Sequence, residues 1–250
     1  MRRRWWGILL AGMVALAEPP LVLGQQADSR PAGATPDISG VWDGPVGGGG
    51  GGGLTGLPGI GRRRWREALP PLQPWAEAIL RANRQGVTDP NEQGLDSLDP
   101  NNNCVPPGMP RIYAVARPFE IVQSPGRVHI LYEWDLTVRR IFSDGRSHPE
   151  GYYPTFMGWS IGSWDRDTLV VDTVGISELT WFDGLGTPHS DELRVIERIR
   201  RVGRENLEIG FRFEDPKAFT QPWEASKTYE LRPDWEILEH VNCEDHVRED

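Results

Sequence analysis

Two histidines and one glutamate carry the residue chemistry that first stands out in this chain. His148 follows the turn signal Asp144-Gly145, and His189 lies in the loop Thr187-Pro188-His189-Ser190. Glu197 follows in Glu192–Arg201, where Leu193, Val195, Glu197 and Ile199 alternate with Arg194, Ile196, Arg198 and Arg200. A strict two-residue period turns Glu197 inward with its apolar neighbours. A lone carboxylate buried there is costly and demands a partner or a role. A bulge near Val195-Ile196 would instead swing it outward. Histidine titrates near neutrality and suits proton transfer. The trio therefore reads as an acid–base set: His189 as general acid or base, Glu197 orienting it, and His148 as second proton carrier or electrostatic stabiliser. Glu178, Asp183 and Asp191 flank the set, and Asp183 is a further catalytic candidate. His129, His240 and His246 read as structural.

Around these residues the sequence is dense in aromatics. The chain has 11 tryptophans, and Tyr152, Tyr153, Trp159 and Trp181 are expected to line a substrate cavity with Phe156, Trp164 and Phe182. The same side chains would also serve as barrel core. A metal would need His148, His189 and either Glu192 or Glu197 to converge. No HxH or HExxH spacing supports that, so no cofactor is expected. Gly158-Trp159-Ser160-Ile161-Gly162 matches GxSxG, but a hairpin follows where the nucleophile motif needs a helix.

The elements that position these groups read as short strands joined by turns. The first contains Gly40-Val41-Trp42, a Gly-x-Trp such as lipocalin-like barrels show. Then come Glu120–Gln123, Arg127–Trp134, Leu136–Phe142, Gly158–Trp164, Thr168–Ile176, Glu192–Arg201, Asn206–Glu214, Ser226–Arg232 and Trp235–His240. Ser124-Pro125-Gly126 and Asp165-Arg166-Asp167 mark hairpins. Strands without intervening helices predict an all-β antiparallel up-and-down barrel of about 8–10 strands, which removes sheet edges. A β-sandwich is the alternative.

One helix is predicted over Gln73–Gln85, with Pro74 in its first turn and Gly86 after its last. Trp75, Ile79 and Ala82 share a face. Residues 86–118 form a long irregular connection. Gly47–Gly53 continues to position 61 as a flexible loop, and Gly56, Gly59 and Gly61 do not make a dinucleotide fingerprint. Arg62, Arg63 and Arg64 form a solvated basic patch.

The N-terminus has three arginines, an apolar run from Trp5 to Ala17, and Val22-Leu23-Gly24 before Gln25. This order predicts a signal peptide over 1–24, followed by a disordered leader over 25–36 and one domain over 37–250. Removal would leave 250 − 24 = 226 residues with a charge of about −9 − 2 = −11. Such an acidic chain is poorly suited to nucleic acid or anionic membrane, and a periplasmic or secreted location is expected. There an even pair of cysteines, Cys104 and Cys243, reads as a disulfide. It would close a loop of 243 − 104 = 139 residues, worth on the order of 4–5 kcal/mol.

The segments DGRSHP (144–149), GWSIGSWDRDTLVVDT (158–173), TWFDGLGTPHS (180–190), RVIERIRR (194–201) and EDPKAFTQPW (214–223), with a late cysteine, resemble a family of uncharacterised exported bacterial proteins. The resemblance spans roughly Cys104 to Asp245. It implies a secreted, β-rich, lipocalin-like protein and transfers no catalytic residue. Three functions are consistent with these readings: an exported enzyme performing acid–base hydrolysis, elimination or isomerisation on a small organic or glycosidic substrate; a non-catalytic binder of a hydrophobic small molecule; and a structural envelope protein. The partner in the first two is a small molecule.

Overall fold

In the computed structural model, residues 35–44, 69–85, 98–115 and 117–240 are described, all within the unit that begins at Thr35. The expected signal peptide, most of the leader, the glycine loop, Arg62–Arg64, Cys243 and His246 lie outside the described residues.

Nine strands close into a barrel: β1 (Gly40–Asp43), β2 (Phe119–Ser124), β3 (Arg127–Tyr132), β4 (Val138–Phe142), β5 (Trp159–Asp165), β6 (Thr168–Val174), β7 (Arg194–Val202), β8 (Asn206–Glu214) and β9 (Trp223–Leu231). Each strand pairs with the next, and β1 closes the ring on β9 through Trp42↔Leu231 and Asp43↔Glu230. The all-antiparallel expectation needs one correction, because β4 and β5 run parallel. Alternating directions cannot close on themselves when the strand count is odd, so one neighbouring pair must share a direction. That pair is joined by only two residue pairs, Ile141↔Ser160 and Phe142↔Ile161. Residues 143–158, which connect them, make an excursion and rejoin the wall one strand over.

The two-residue period sets the facing. On β8, Leu207, Ile209, Phe211 and Phe213 are buried, while Glu208 and Arg212 are exposed. On β7, Val195, Glu197 and Ile199 point in and no bulge intervenes. The expected strand Trp235–His240 does not form. Only His240 makes an isolated bridge, to Trp134, because β1 and β9 have already closed the ring and no free edge remains. Ser226–Arg232 starts earlier, at Trp223, and loses Arg232.

Helix α1 (Pro74–Asn83) buries Ala76 and Leu80, not the Trp75–Ile79 face, which is about half exposed. It is held by its ends. Gln73 N–H donates to the Ala218 carbonyl at 2.7 Å, Trp75 Nε1 to the Lys217 carbonyl at 2.7 Å, and Asn83 Nδ2 to the Gly186 carbonyl at 2.8 Å. The helix thus braces the connections β6–β7 and β8–β9.

The barrel interior holds a buried aromatic cluster. Tyr113, from the 3-10 turn Arg111–Ala114, meets Phe119, Tyr132 and Phe211 edge-on with centroids 5.2–5.9 Å apart. Phe182, from the β6–β7 connection, packs on Phe213, Phe219 and Trp223. Trp42 is fully buried, donates Nε1–H to the Ile38 carbonyl at 3.0 Å, and lies under the Arg201 guanidinium at 5.4 Å. Core aromatics of this size bury on the order of 150–250 Å2 each and dominate the packing.

Gly158, which returns the excursion to β5, has φ +65°, and a Cβ there would fall 2.7 Å from Thr173 Cγ2 and 2.8 Å from the Val174 carbonyl. Gly158→Ala is therefore expected to destabilise the fold by roughly 2–4 kcal/mol, the sum of left-handed strain and overpacking. Urea denaturation measures it.

Candidate functional site

Glu197 is the inward carboxylate that the strand period demanded, and its partner is Arg139 on β4. Their side chains are 0% and 1% exposed. Arg139 Nη1 donates to Glu197 Oε1 at 2.8 Å and Nη2 donates to Oε2, a bidentate pair. The remaining donors reach Tyr113 Oη at 3.1 Å, Ser160 Oγ at 3.1 Å and Thr173 Oγ1 at 2.8 Å. One guanidinium thus ties β4, β5, β6, β7 and the Tyr113 turn together. Burial works against the charged guanidinium, but the Glu197 carboxylate beside it holds its pKa above the ordinary value. Burial, and then the negative charge of Glu197, push the Tyr113 phenol well up, so it stays neutral.

This network is satisfied from within, and it engages Ser160 Oγ; the GxSxG serine faces the interior instead of a substrate. Removing one member leaves an uncompensated buried charge. Arg139→Met is expected to cost about 3–5 kcal/mol, and Arg139→Met with Glu197→Leu considerably less than either alone. Denaturation of the three variants checks this.

A second inward cation, Lys227 on β9, lies across from Ile209. Burial lowers its pKa from the ordinary 10.5 to about 7. The unfolded chain then binds more protons than the folded one between those values. Stability is therefore expected to rise as pH increases from about 7 towards 10.5, and the rise should vanish in Lys227→Met. Denaturant midpoints measured across that range test it.

The structure does not bring His189 to Glu197. His189 sits in the β6–β7 connection, where residues 180–190 are buried without a break. Its Nδ1–H donates to the Ser190 carbonyl at 3.0 Å, and its Nε2 shares a 3.0 Å hydrogen bond with Thr180 Oγ1, which also bonds the Ser177 carbonyl at 3.0 Å. Burial pushes its pKa down and keeps the ring neutral. Asp183, in the same loop, is raised by burial and accepts from Leu185 N at 2.9 Å, Thr187 N at 3.2 Å and Thr187 Oγ1 at 2.8 Å. Asp215 accepts from Ser190 N at 2.7 Å and Ser190 Oγ at 2.6 Å. Trp181 is also buried here, with the Arg111 guanidinium 5.8 Å from its ring, and Arg111 pairs bidentately with Asp99 at 2.6 Å. These groups hold a buried loop in shape. Their hydrogen-bonding capacity is spent on one another and on the backbone.

His148 lies elsewhere, in the excursion between β4 and β5. That segment folds over the outer face of β5 and β6. Its Nε2 is 3.4 Å from Asp172 Oδ2, outside hydrogen-bond geometry, and neither ring nitrogen has a hydrogen-bond partner. Asp172 is held by Arg194 through two 2.8 Å bonds. Burial works to raise the Asp172 pKa, but Arg194 and His148 hold it below the usual carboxylate value. Tyr152 lies against Gly175, whose Cβ position would also touch Trp159. Trp159 Nε1 donates to the Tyr153 carbonyl at 3.0 Å. Three of the four expected binding aromatics, Tyr152, Tyr153 and Trp159, are therefore neighbours, while Trp181 is separate.

Beside them is an open groove of about 640 Å3 over the β4–β5 seam, whose walls include Phe142, Asp144, Arg146, Pro149, Trp159 and Ile161. Asp144 and Arg146 form a bidentate pair at 2.6–3.0 Å, and the guanidinium covers the Phe142 ring at 4.1 Å. Sequence reasoning named His148 and the aromatics but missed Asp172, Arg194, Asp144 and Arg146. The one charge of β6, Asp172, and the outward arginine row of β7 hinted at the first two, through the register Asp172↔Ile196.

The convergence of His148, His189 and a carboxylate that a metal would need is not seen among the described residues: the histidines share no hydrogen-bond partner with each other or with Glu197. No group of three or more His, Cys, Asp or Glu arranged for a metal occurs among the described residues. Cys104 ends the 3-10 turn Pro100–Asn103 in a left-handed conformation, φ 63°, while its expected partner Cys243 is outside the described residues. No family model, no curated protein and no solved structure matches the chain.

Proposed function

We propose that this chain is a small-molecule-binding barrel whose ligand site is the groove on the β4–β5 seam, and that binding there is not coupled to turnover. The observation that carries this reading is the gathering of Trp159, Tyr152 and Tyr153 beside an open groove, while the acid–base candidates His189, Glu197 and Asp183 are committed to structural hydrogen bonds. Ligand sites combine apolar walls with a few placed polar groups, and the Asp144–Arg146 pair fits that description. The binding surface differs from a lipocalin mouth because inward side chains occupy the barrel. Export to the periplasm or beyond is part of the proposal and rests on the first 24 residues, as does kinship with exported bacterial proteins on the quoted segments. The formal charge of −9 favours neither nucleic acid nor an anionic membrane as partner.

A second reading is favoured by one observation: the His148 ring nitrogens make no hydrogen bond beside the groove, and Asp172 stands near Nε2. In that reading His148 is a proton carrier oriented by Asp172.

The test uses the fluorescent probe 1-anilinonaphthalene-8-sulfonate. Saturable one-site binding to the folded chain is expected, weakened about tenfold or more by Trp159→Ala and by the groove-filling Ser147→Trp. Binding unaffected by both variants would remove the groove as the site. Chemical change of any bound ligand that is lost in His148→Ala would favour the second reading.

A further inference from the structure

We infer that the groove takes a carbohydrate, a soluble neutral oligosaccharide presenting a pyranose face to Trp159 in the groove wall and to Tyr152 and Tyr153 beside it. The inference rests on the groove being the binding site and adds the class of ligand. It follows from three features of the same surface.

The first is the display of aromatic rings. Tyr153 is 76% and Tyr152 39% exposed. An aromatic ring that is left in water while its backbone is held in place forms a platform. Here Trp159 Nε1 holds the Tyr153 carbonyl at 3.0 Å, and Tyr152 lies close against Gly175, which has φ +66° and where a Cβ would come 2.6 Å from the ring. The C–H face of a sugar ring is apolar and stacks on such a platform.

The second is the polar pair. Asp144 and Arg146 are bonded to each other yet 34% and 46% exposed, so each keeps outward capacity. A carboxylate only accepts and a guanidinium only donates. Side by side they match neighbouring hydroxyls, which do both. The pair is neutral as a unit, so it gives no net attraction to an anion or a cation.

The third is openness. A groove that covers one side of its ligand leaves the other in water, which wastes much of the apolar surface of a lipid-like or polyaromatic molecule. A sugar is amphipathic across its ring and loses little by staying half solvated.

The experiment titrates the full chain with cellotetraose, maltotetraose, chitotetraose and mannotetraose by calorimetry, with the anilinonaphthalene probe in parallel. At least one tetrasaccharide is expected to bind and to displace the dye. Tyr153→Ala, at an exposed site that leaves the fold intact, should weaken it about tenfold or more. Asp144→Asn should weaken it too, and Leu179→Ala, an exposed residue outside the groove, should not. If the dye binds in a manner blocked by Ser147→Trp while no tetrasaccharide binds, the ligand class is wrong and the groove survives. If neither dye nor sugar binds the groove, both readings fall. Sugar binding that is indifferent to Tyr153→Ala and Asp144→Asn also overturns the inference.

Discussion

The closure of nine strands into one ring governs the architecture. An even number could alternate direction all the way round; nine cannot, and the mismatch is concentrated between β4 and β5. The chain reaches the end of β4, leaves the wall for residues 143–158, and re-enters in the same direction. The ladder at this junction has two residue pairs, as few as at the β1–β9 closure and against nine between β7 and β8, so it is one of the two thinnest parts of the wall. The residues that form the groove, its aromatics and its Asp–Arg pair either belong to that excursion or lie directly beneath it. Site and topological irregularity coincide for a physical reason: a departure from regular pairing frees backbone and side chains to shape a surface.

The buried Arg139–Glu197 pair acts on the same weakness from inside. With few backbone bonds across the seam, a guanidinium with five donors spans it, reaching Ser160 on β5 from β4 and continuing to Thr173 and Glu197. The pair need not add net stability over an apolar equivalent. What it provides is geometric specificity, because only one arrangement of four strands satisfies all its donors at once. The aromatic cluster around Tyr113 then packs against a fixed polar centre.

Much of this was legible in the sequence where local periodicity decides. The inward rows of β7 and β8, the Gly126 and Arg166 turns, and the inward Glu197 follow from alternation alone. The identity of Glu197's partner does not. Val138-Arg139-Arg140-Ile141 offers two adjacent arginines, and with flanking residues this short only the register with β3, Ile130↔Arg139, shows which one turns inward. His189 looked reactive because loop histidines commonly are, yet its loop is buried, a property set by packing against Phe213 and Phe219 far along the chain. The Trp235–His240 segment has the pattern of a strand and lacks an edge to join, which no local pattern reports. The Asp172–His148 contact likewise depends on how the excursion folds back.

The pairing of β1 with β9 has a consequence for how the molecule comes to exist. It joins residues near the two ends of the described fold, and bringing such distant segments together carries the largest loop-closure entropy of any pairing in the ring. The meander β5 to β9, by contrast, is built from neighbours in sequence. Until β1 arrives, β2 and β9 remain open edges with unpaired amide and carbonyl groups, templates on which another unfinished chain can assemble. The four residues of β1, with Trp42 driven into the core beneath Arg201, therefore act as a zip that converts a sticky sheet into an edgeless surface. The interval before that zip closes is the period of greatest exposure to self-association.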